Sequence, residues 1–352
     1  MTKYRNIISV IFRWALGALF IFSGAVKSVD PIGTSIFVDK YLATYSMEWL
    51  LPMSEVIAVG LSVMEFALGV LLILGVWRRV VVTITTIVLL IFSALTLLSA
   101  TVLPIGDCGC FGDALKLSPW ATFLKNIILL PIAIALLKWS DEPQQTTTKD
   151  VVVLCLALLA PSLINLYALS HLPLVDFLPY KVGTNLREEI AKEQEAVQSV
   201  LRFRNIATDE IIEFDATDTS CWADEELEFV ESALVVKDGR ELNYSDFHLY
   251  SDNVDVTDEI IATPGRIVLL CVNNKSAIDA SAKEVVAKIG SSYPKQAIYI
   301  VSSEELAPQE LSLEASSLYI DAMTLRSIIR ADVGVVILKD GIVEFKANIK
   351  NL

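Results

Sequence analysis

Apolar residues gather into five long runs, at 7–26, 56–76, 80–103, 121–137 and 151–169. A hydrocarbon core about 30 Å thick needs roughly 20 apolar residues in a helix, so each run predicts a transmembrane helix. The fourth is the shortest and holds Pro131, which predicts a kink or a tilt. The first begins with Lys3, Arg5 and Arg13, like the charged start of a signal peptide. Its length, and the lack of a small-x-small site in Phe22-Ser23-Gly24-Ala25-Val26, predict an uncleaved helix instead.

Beyond residue 174 the pattern changes. Pro173, Pro179 and Gly183 mark an exit linker, 185–200 reads as a short surface helix, and 208–231 is strongly acidic with short strands such as 210–214. Lys237-Asp238-Gly239-Arg240 reads as a hairpin turn. The final stretch is more regular: a β run at 266–272, helical periodicity at 276–289 (Ile278, Ala282, Val285, Val286 and Ile289 on one face), and a β run at 297–301. A short helix at 302–311, a strand at 317–320, a helical turn at 325–330 and a terminal β-hairpin over 333–346 follow. The expected divisions are 1–140, 141–174, 175–260 and 261–352.

Composition agrees: 54% of residues are hydrophobic and mean hydropathy is +0.55, too apolar for an ordinary soluble enzyme. Lys3 and Arg5, then Arg78 and Arg79, then Lys138 and Lys149 all fall on one side if every run spans, and that side is expected to be the cytoplasm. The Cys108–Cys110 loop and everything after the fifth helix are then expected outside it. The cellular expectation is a multi-pass protein of a bacterial inner membrane with its C-terminal domain in the periplasm. Residues 1–170 hold 11 Lys/Arg against 10 Asp/Glu, and residues 171–352 hold 17 against 32, net charges of +1 and −15. An acidic outer part argues against nucleic acid or anionic lipid as its partner.

The candidate chemistry centres on Cys108-Gly109-Cys110-Phe111-Gly112 between the third and fourth runs. Cys108 and Cys110 can form a small-ring disulfide, act as a dithiol on a partner, or sit inert. An outer compartment permits disulfides. Metal binding is weakly supported, since two cysteines need further ligands and only His171 and His248 are present. Asp107 and Asp113 would raise the thiol pKa values. Glu65 lies mid-run, where an ionisable side chain needs a partner or a cavity, and Lys27, Lys125 and Asn126 are candidates. Glu65 can serve as a proton relay, as a polar contact to a quinone-like carrier, or as an interhelical clamp. Lys27 alone would snorkel. Cys155 reads as packing and Cys271 as a buried strand thiol. Cys221 is open to pairing with Cys271 or to exchange with the loop cysteines.

Two resemblances follow. The sequence Asp332-Val333-Gly334-Val335-Val336-Ile337-Leu338-Lys339-Asp340-Gly341-Ile342-Val343-Glu344-Phe345, after a βαβ segment, resembles the end of a thioredoxin fold. The Cys-x-x-Cys position instead reads Asn274-Lys275-Ser276-Ala277-Ile278-Asp279-Ala280, and Val333 stands where thioredoxins carry a cis-proline, so a trans bond is expected. Phe22-Ser23-Gly24-Ala25-Val26-Lys27 with Asp30-Pro31, Met64-Glu65-Phe66-Ala67-Leu68-Gly69, the cysteine motif through Asp113, and Pro119-Trp120 with Lys125-Asn126 resemble the DoxX superfamily, in particular its MauE branch, over about residues 5–140. The resemblance implies a membrane α-helical four-helix bundle. The full layout adds a fifth transmembrane helix and an α/β thioredoxin-like extracytoplasmic domain. It also implies redox association, with MauE implicated in maturing a disulfide-rich partner.

The expected function is thiol–disulfide exchange through Cys108 and Cys110 with an extracytoplasmic thiol or client protein, with Glu65 and Lys27 as polar contacts to a possible quinone. A non-catalytic scaffold that binds its partner through the degenerate thioredoxin-like domain is the alternative. A small transporter or lipid-binding bundle using Glu65 and Lys27 is the third reading.

Overall fold

The computed structural model describes residues 2–102, 109–140, 145–224, 226–236, 242–294, 297–306, 308–311, 313 and 315–352. The chain forms two compact units, Met1–Leu178 with Lys350–Leu352, and Pro179–Ile349.

The first unit is helical. Its α-helices are α1 (Thr2–Val29), α2 (Pro31–Thr44), α3 (Ser54–Leu74), α4 (Arg78–Thr101), α5 (Pro119–Trp139) and α6 (Thr148–Ser170). Among the described residues five helical segments are long and apolar enough to cross a membrane: Tyr4–Val29, Glu48–Leu74, Arg78–Thr101, Pro119–Trp139 and Thr148–Ser170. They correspond to the five apolar runs. The protein is a multi-pass membrane protein.

Helix α2 is an addition to the expected bundle. Asp30 caps it, its side chain accepting from Gly33 N at 2.7 Å, and Pro31 takes the first helical position, where a missing N–H is no loss. Fourteen residues rise about 21 Å, too short to span. Apolar-run length could not find it, whereas the Asp-Pro start could.

Helices α1 and α3 touch backbone to backbone. A Cβ on Gly17 would lie 2.8 Å from Gly69 O, and one on Gly24 would lie 2.6 Å from Ser62 O and collide with Phe66 N. Without a hydrophobic drive between helices in lipid, such small-residue contacts bring dispersion and short polar contacts within reach. Leu16, Phe20, Leu68, Leu72, Val82 and Leu136 fill the adjoining core. Ser62 and Asn165 join α3 to α6, Asn165 Nδ2 donating to Ser62 Oγ at 3.0 Å. Asn165 also donates to Pro161 O at 2.8 Å, one turn earlier in α6.

The second unit opens with α7 (Leu186–Ala196), shorter than the helix expected over 185–200. From Val197 the chain is strand β1 (Val197–Asn205), because Val200 and Phe203 have cross-strand partners that outweigh local helix propensity. Strand β1 lies between β2 (Ile211–Asp215) and β3 (Leu227–Val236), both antiparallel to it. The expected turn at Lys237-Asp238-Gly239-Arg240 lies outside the described residues, and β3, which precedes it, pairs with β1. Phe203 is buried at the centre of one face by Phe214, Trp222 and Phe229.

The second sheet holds β4 (Tyr250–Ser251), β5 (Val254–Asp255), β6 (Arg266–Val272), β7 (Ile298–Ser302), β8 (Ser316–Tyr319), β9 (Val333–Lys339) and β10 (Ile342–Asn348). Their spatial order is β10-β9-β6-β7-β8-β4-β5. Strands β6, β7 and β8 run parallel, and β9 lies antiparallel to β6. Because β4 pairs with β8, the sheet extends across the division expected at 260. Helices α8 (Thr257–Ala262), α9 (Ala280–Ser292) and α10 (Ala322–Ile328) complete the unit. Residues 267–272 are buried on both faces, as a central strand requires. Val268, Leu270, Val286, Ile300 and Val335 form its core with α9. Helix α9 begins at Ala280, later than expected, because Lys275–Ala277 forms a 3-10 turn and Asp279 caps the helix. No described peptide bond is cis, and the bond before Val333 is trans.

Candidate functional site at the membrane cysteine loop

Lys27 ends α1 and Glu65 sits in the middle of α3. Glycine contacts bring these helices close enough for Lys27 Nζ to meet Glu65 Oε2 at 2.7 Å, both side chains at 5% exposure or less. Lys27 Nζ also donates to Ser23 Oγ at 2.7 Å and to the Cys110 carbonyl at 2.6 Å. Ser23 Oγ donates in turn to that carbonyl at 2.7 Å. Three acceptors therefore match the three ammonium donors, the condition under which a buried charge is tolerable. The cation at the end of α1 also complements the helix dipole. Lys27 is thus internal rather than snorkelling.

The loop approaches this pair closely. Gly109 has φ of 63° and lies against Phe37, where a Cβ would come within 2.7 Å of Cγ. Gly112 N donates to Gly109 O at 3.1 Å, closing a turn around Cys110. Phe111 is buried beside Phe22, with ring centroids 5.4 Å apart. Lys125 Nζ lies 4.5 Å from the Phe111 centroid, a cation–π contact, so Lys125 serves the loop and leaves Glu65 to Lys27.

Two cavities flank the ion pair. One, of about 210 Å³, is mainly apolar, with Lys27, Phe37, Tyr45, Leu61, Phe92 and Cys110 in its lining. The other, of about 30 Å³, is lined in part by Ser23, Glu65, Cys110, Lys125 and Asn126. Tyr45 Oη and Asn126 Nδ2 are buried and have no hydrogen-bond partner among the described residues.

The structure therefore brings Lys27, Glu65 and Cys110 together. Cys108 lies outside the described residues. Ser23, Tyr45, Phe111 and the α2 wall were not singled out by sequence. The four-residue spacing of Ser23 and Lys27 on one helix face is a signal that could have found Ser23.

The remaining cysteines and histidines lie elsewhere. Cys155 is exposed on α6 rather than packed, an apolar thiol on an outward helix face. Cys221 and Cys271 are both buried free thiols, so the considered bridge between them is absent. Cys221 Sγ donates to Asp218 O at 3.2 Å. Cys271 is sealed in β6, and burial pushes its thiol pKa up to about 12. His171 stacks on Tyr167 with centroids 4.3 Å apart. His248 Nδ1 lies 2.7 Å from Asp255 Oδ2.

Residues 5–139 match the family model described as methylamine utilisation protein MauE. The matched segment contains Ser23, Lys27, Glu65, Cys110 and Asn126, and it ends before α6. Among curated proteins, the chain is similar to Protein TlpB of Flavobacterium psychrophilum, at 27% identity over 186 residues, covering 49% of this chain and 45% of that one. The chain thus spans less than half the length of that relative. No solved structure matches the chain.

Proposed function

We propose that this membrane protein, whose residues 5–139 form a MauE-family domain, carries out thiol–disulfide exchange through the Cys108–Cys110 loop and so supports maturation or redox control of a partner protein. The observation that carries the reading is the anchoring of the Cys110 backbone by Lys27 and Ser23 beside a buried Glu65. Exchange conserves electrons: a partner thiolate attacks the loop disulfide to give a mixed disulfide, and a second partner thiolate resolves it, so that the partner disulfide forms as the two loop thiols are released. A fixed carbonyl at Cys110 limits the positions that loop can take while it reacts.

Charge placement supports an inner-membrane topology with Arg78 and Arg79 in the cytoplasm and the loop and the second unit in the periplasm. The 210 Å³ cavity supports a quinone-class electron carrier, which accepts electrons when bound. The Tyr45 hydroxyl, which has no partner among the described residues, would hold one of its oxygen atoms, with Lys27, whose three donors are already engaged, adding charge nearby, and Leu61 and Phe92 would hold its apolar ring.

For the second unit the proposal is a degenerate thioredoxin-like domain. Support comes from the order β10-β9-β6-β7, with α9 linking parallel β6 and β7 and a closing antiparallel hairpin. The segment after β6 holds no cysteine, and the Cys271 thiol is sealed. Its role in this reading is to dock the partner.

The test is mass-tag alkylation of native membranes before and after mild reduction. Exchange predicts a mixed population of loop thiols and disulfide, or a mixed disulfide with another protein, and loss of activity in both Cys108→Ser and Cys110→Ser. Full activity in either variant would eliminate it. The scaffold alternative, favoured by the sealed Cys271, predicts that the double variant still supports the partner complex.

A further inference from the structure

The small cavity beside Glu65 is separate from the larger one assigned to the carrier. We infer that it is a hydration site, holding one water molecule between Asn126 Nδ2 and the Glu65 carboxylate, and that Asn126 is the positioning residue for that water.

Asn126 lies on α5, with 2% of its surface exposed. Its Nδ2 has no hydrogen-bond partner among the described residues. A buried amide donor without an acceptor is rare in native proteins and points to an unseen partner such as water. The cavity against it measures about 30 Å³, above the roughly 10–15 Å³ that a water requires. Such a water also needs two to four polar partners. Asn126, Glu65, Ser23 and Cys110 all line this cavity. Only Oε2 of Glu65 is engaged by a described residue, namely Lys27, which leaves Oε1 as an acceptor. Leu19, Phe20, Leu89 and Phe92 supply the apolar part of its lining, and the small volume fits a single water molecule.

The occupant cannot be Lys125, whose ammonium lies over the Phe111 ring. Exchanging the Asn126 amide oxygen and nitrogen does not remove the need either, because a buried carbonyl in the same position also requires a partner. With the water present, α5 joins the polar contact between α1 and α3, and Glu65, itself buried, gains a second hydrogen bond. The inference does not depend on the reactivity of Cys108 or Cys110.

The experiment uses the full chain in lipid nanodiscs. A map that resolves ordered solvent is expected to show density within hydrogen-bond distance of both Asn126 Nδ2 and Glu65. In infrared spectra, the carboxyl band that Glu65→Gln removes is expected to shift on exchange into D2O. Asn126→Leu, similar in size but without a donor, is expected to reduce that shift to the part that exchange of the Lys27 ammonium produces. Asn126→Ser retains a donor and is expected to preserve the full shift, and it serves as the test arm if the leucine variant does not fold. An empty cavity overturns the hydration site. A shift of unchanged size in Asn126→Leu overturns the positioning role. Because neither readout involves the cysteines, failure of the thiol-exchange proposal and failure of this one are separable.

Discussion

A buried lysine that serves three acceptors makes each partner's loss unequal to its presence. Lys27→Met leaves the buried Glu65 without its cation, and removal of one partner from a buried pair costs about 3–5 kcal/mol. The expected outcome is a lower thermal midpoint in detergent and faster alkylation of Cys110, whose carbonyl has lost its Lys27 donor. The double variant Lys27→Met/Glu65→Leu is expected to recover much of the stability but not the slow alkylation, which separates electrostatics from loop anchoring. At Cys271 the sign follows from its raised pKa. The folded thiol keeps its proton up to about pH 12, while the unfolded thiol loses it near 8.5, so its contribution to stability is full below that lower value and is lost as pH rises toward 12. Circular dichroism is expected to report alkaline destabilisation of the second unit that is reduced in Cys271→Ala, and maleimide at pH 8 is expected to label Cys271 only after denaturation. The pairing of Lys27 with Glu65 was legible because two charges stood out in apolar runs. Asn126 was a candidate partner of Glu65, but Tyr45 was not singled out, because an orphaned donor is defined by what surrounds it and leaves no trace in spacing.

At the scale of elements, the α1–α3 contact sets how closely the charged side chains can meet. Gly24→Leu places a side chain where backbone atoms of Ser62 and Phe66 already stand, so the helices must separate. Overpacking of this kind typically costs 1–3 kcal/mol, and the expected result is a lower thermal midpoint with loss of the short Lys27–Glu65 contact. Substitution at Gly60, where a Cβ meets nothing within 4 Å, is the control. The strands β6, β7, β9 and β10 were legible because buried β-branched runs between turn residues leave few alternatives. The end of α7 at Ala196 was not: Glu, Lys and Gln carry helix propensity up to that point, and only cross-strand partners distant in sequence turn Val197 onward into a strand. Helix α2 was hidden for the opposite reason, since its burial against the first unit lets a short apolar segment fold without spanning.

For the whole molecule, the five candidate spans among the described residues and the proposed orientation put Arg79 and the second unit in different compartments. Asp209, 87% exposed in the second unit, replaced as Asp209→Cys, is expected to react with a membrane-impermeant maleimide in intact cells, while Arg79→Cys is expected to react only after lysis. The reverse pattern would invert the proposed orientation. The division into a helical apolar unit and a polar sheet-rich unit was written in hydropathy and in the shift of charge from +1 to −15. The three-stranded sheet was legible only at β2, expected at 210–214, because β1 and β3 mix charged and polar residues among their apolar ones and the acidic loops resemble solvent-exposed linker. The order β10-β9-β6-β7 also governs how the protein is made. Strand β6 is central, yet one of its two neighbours, β9, arrives more than 60 residues later in synthesis. The sheet therefore cannot close while the chain is still emerging, and over that interval Cys271 is an uncovered thiol. Oxidation of that thiol before β9 docks would trap a chain that can no longer complete its sheet, so the vulnerable period for this cysteine lies in biogenesis rather than in the finished protein.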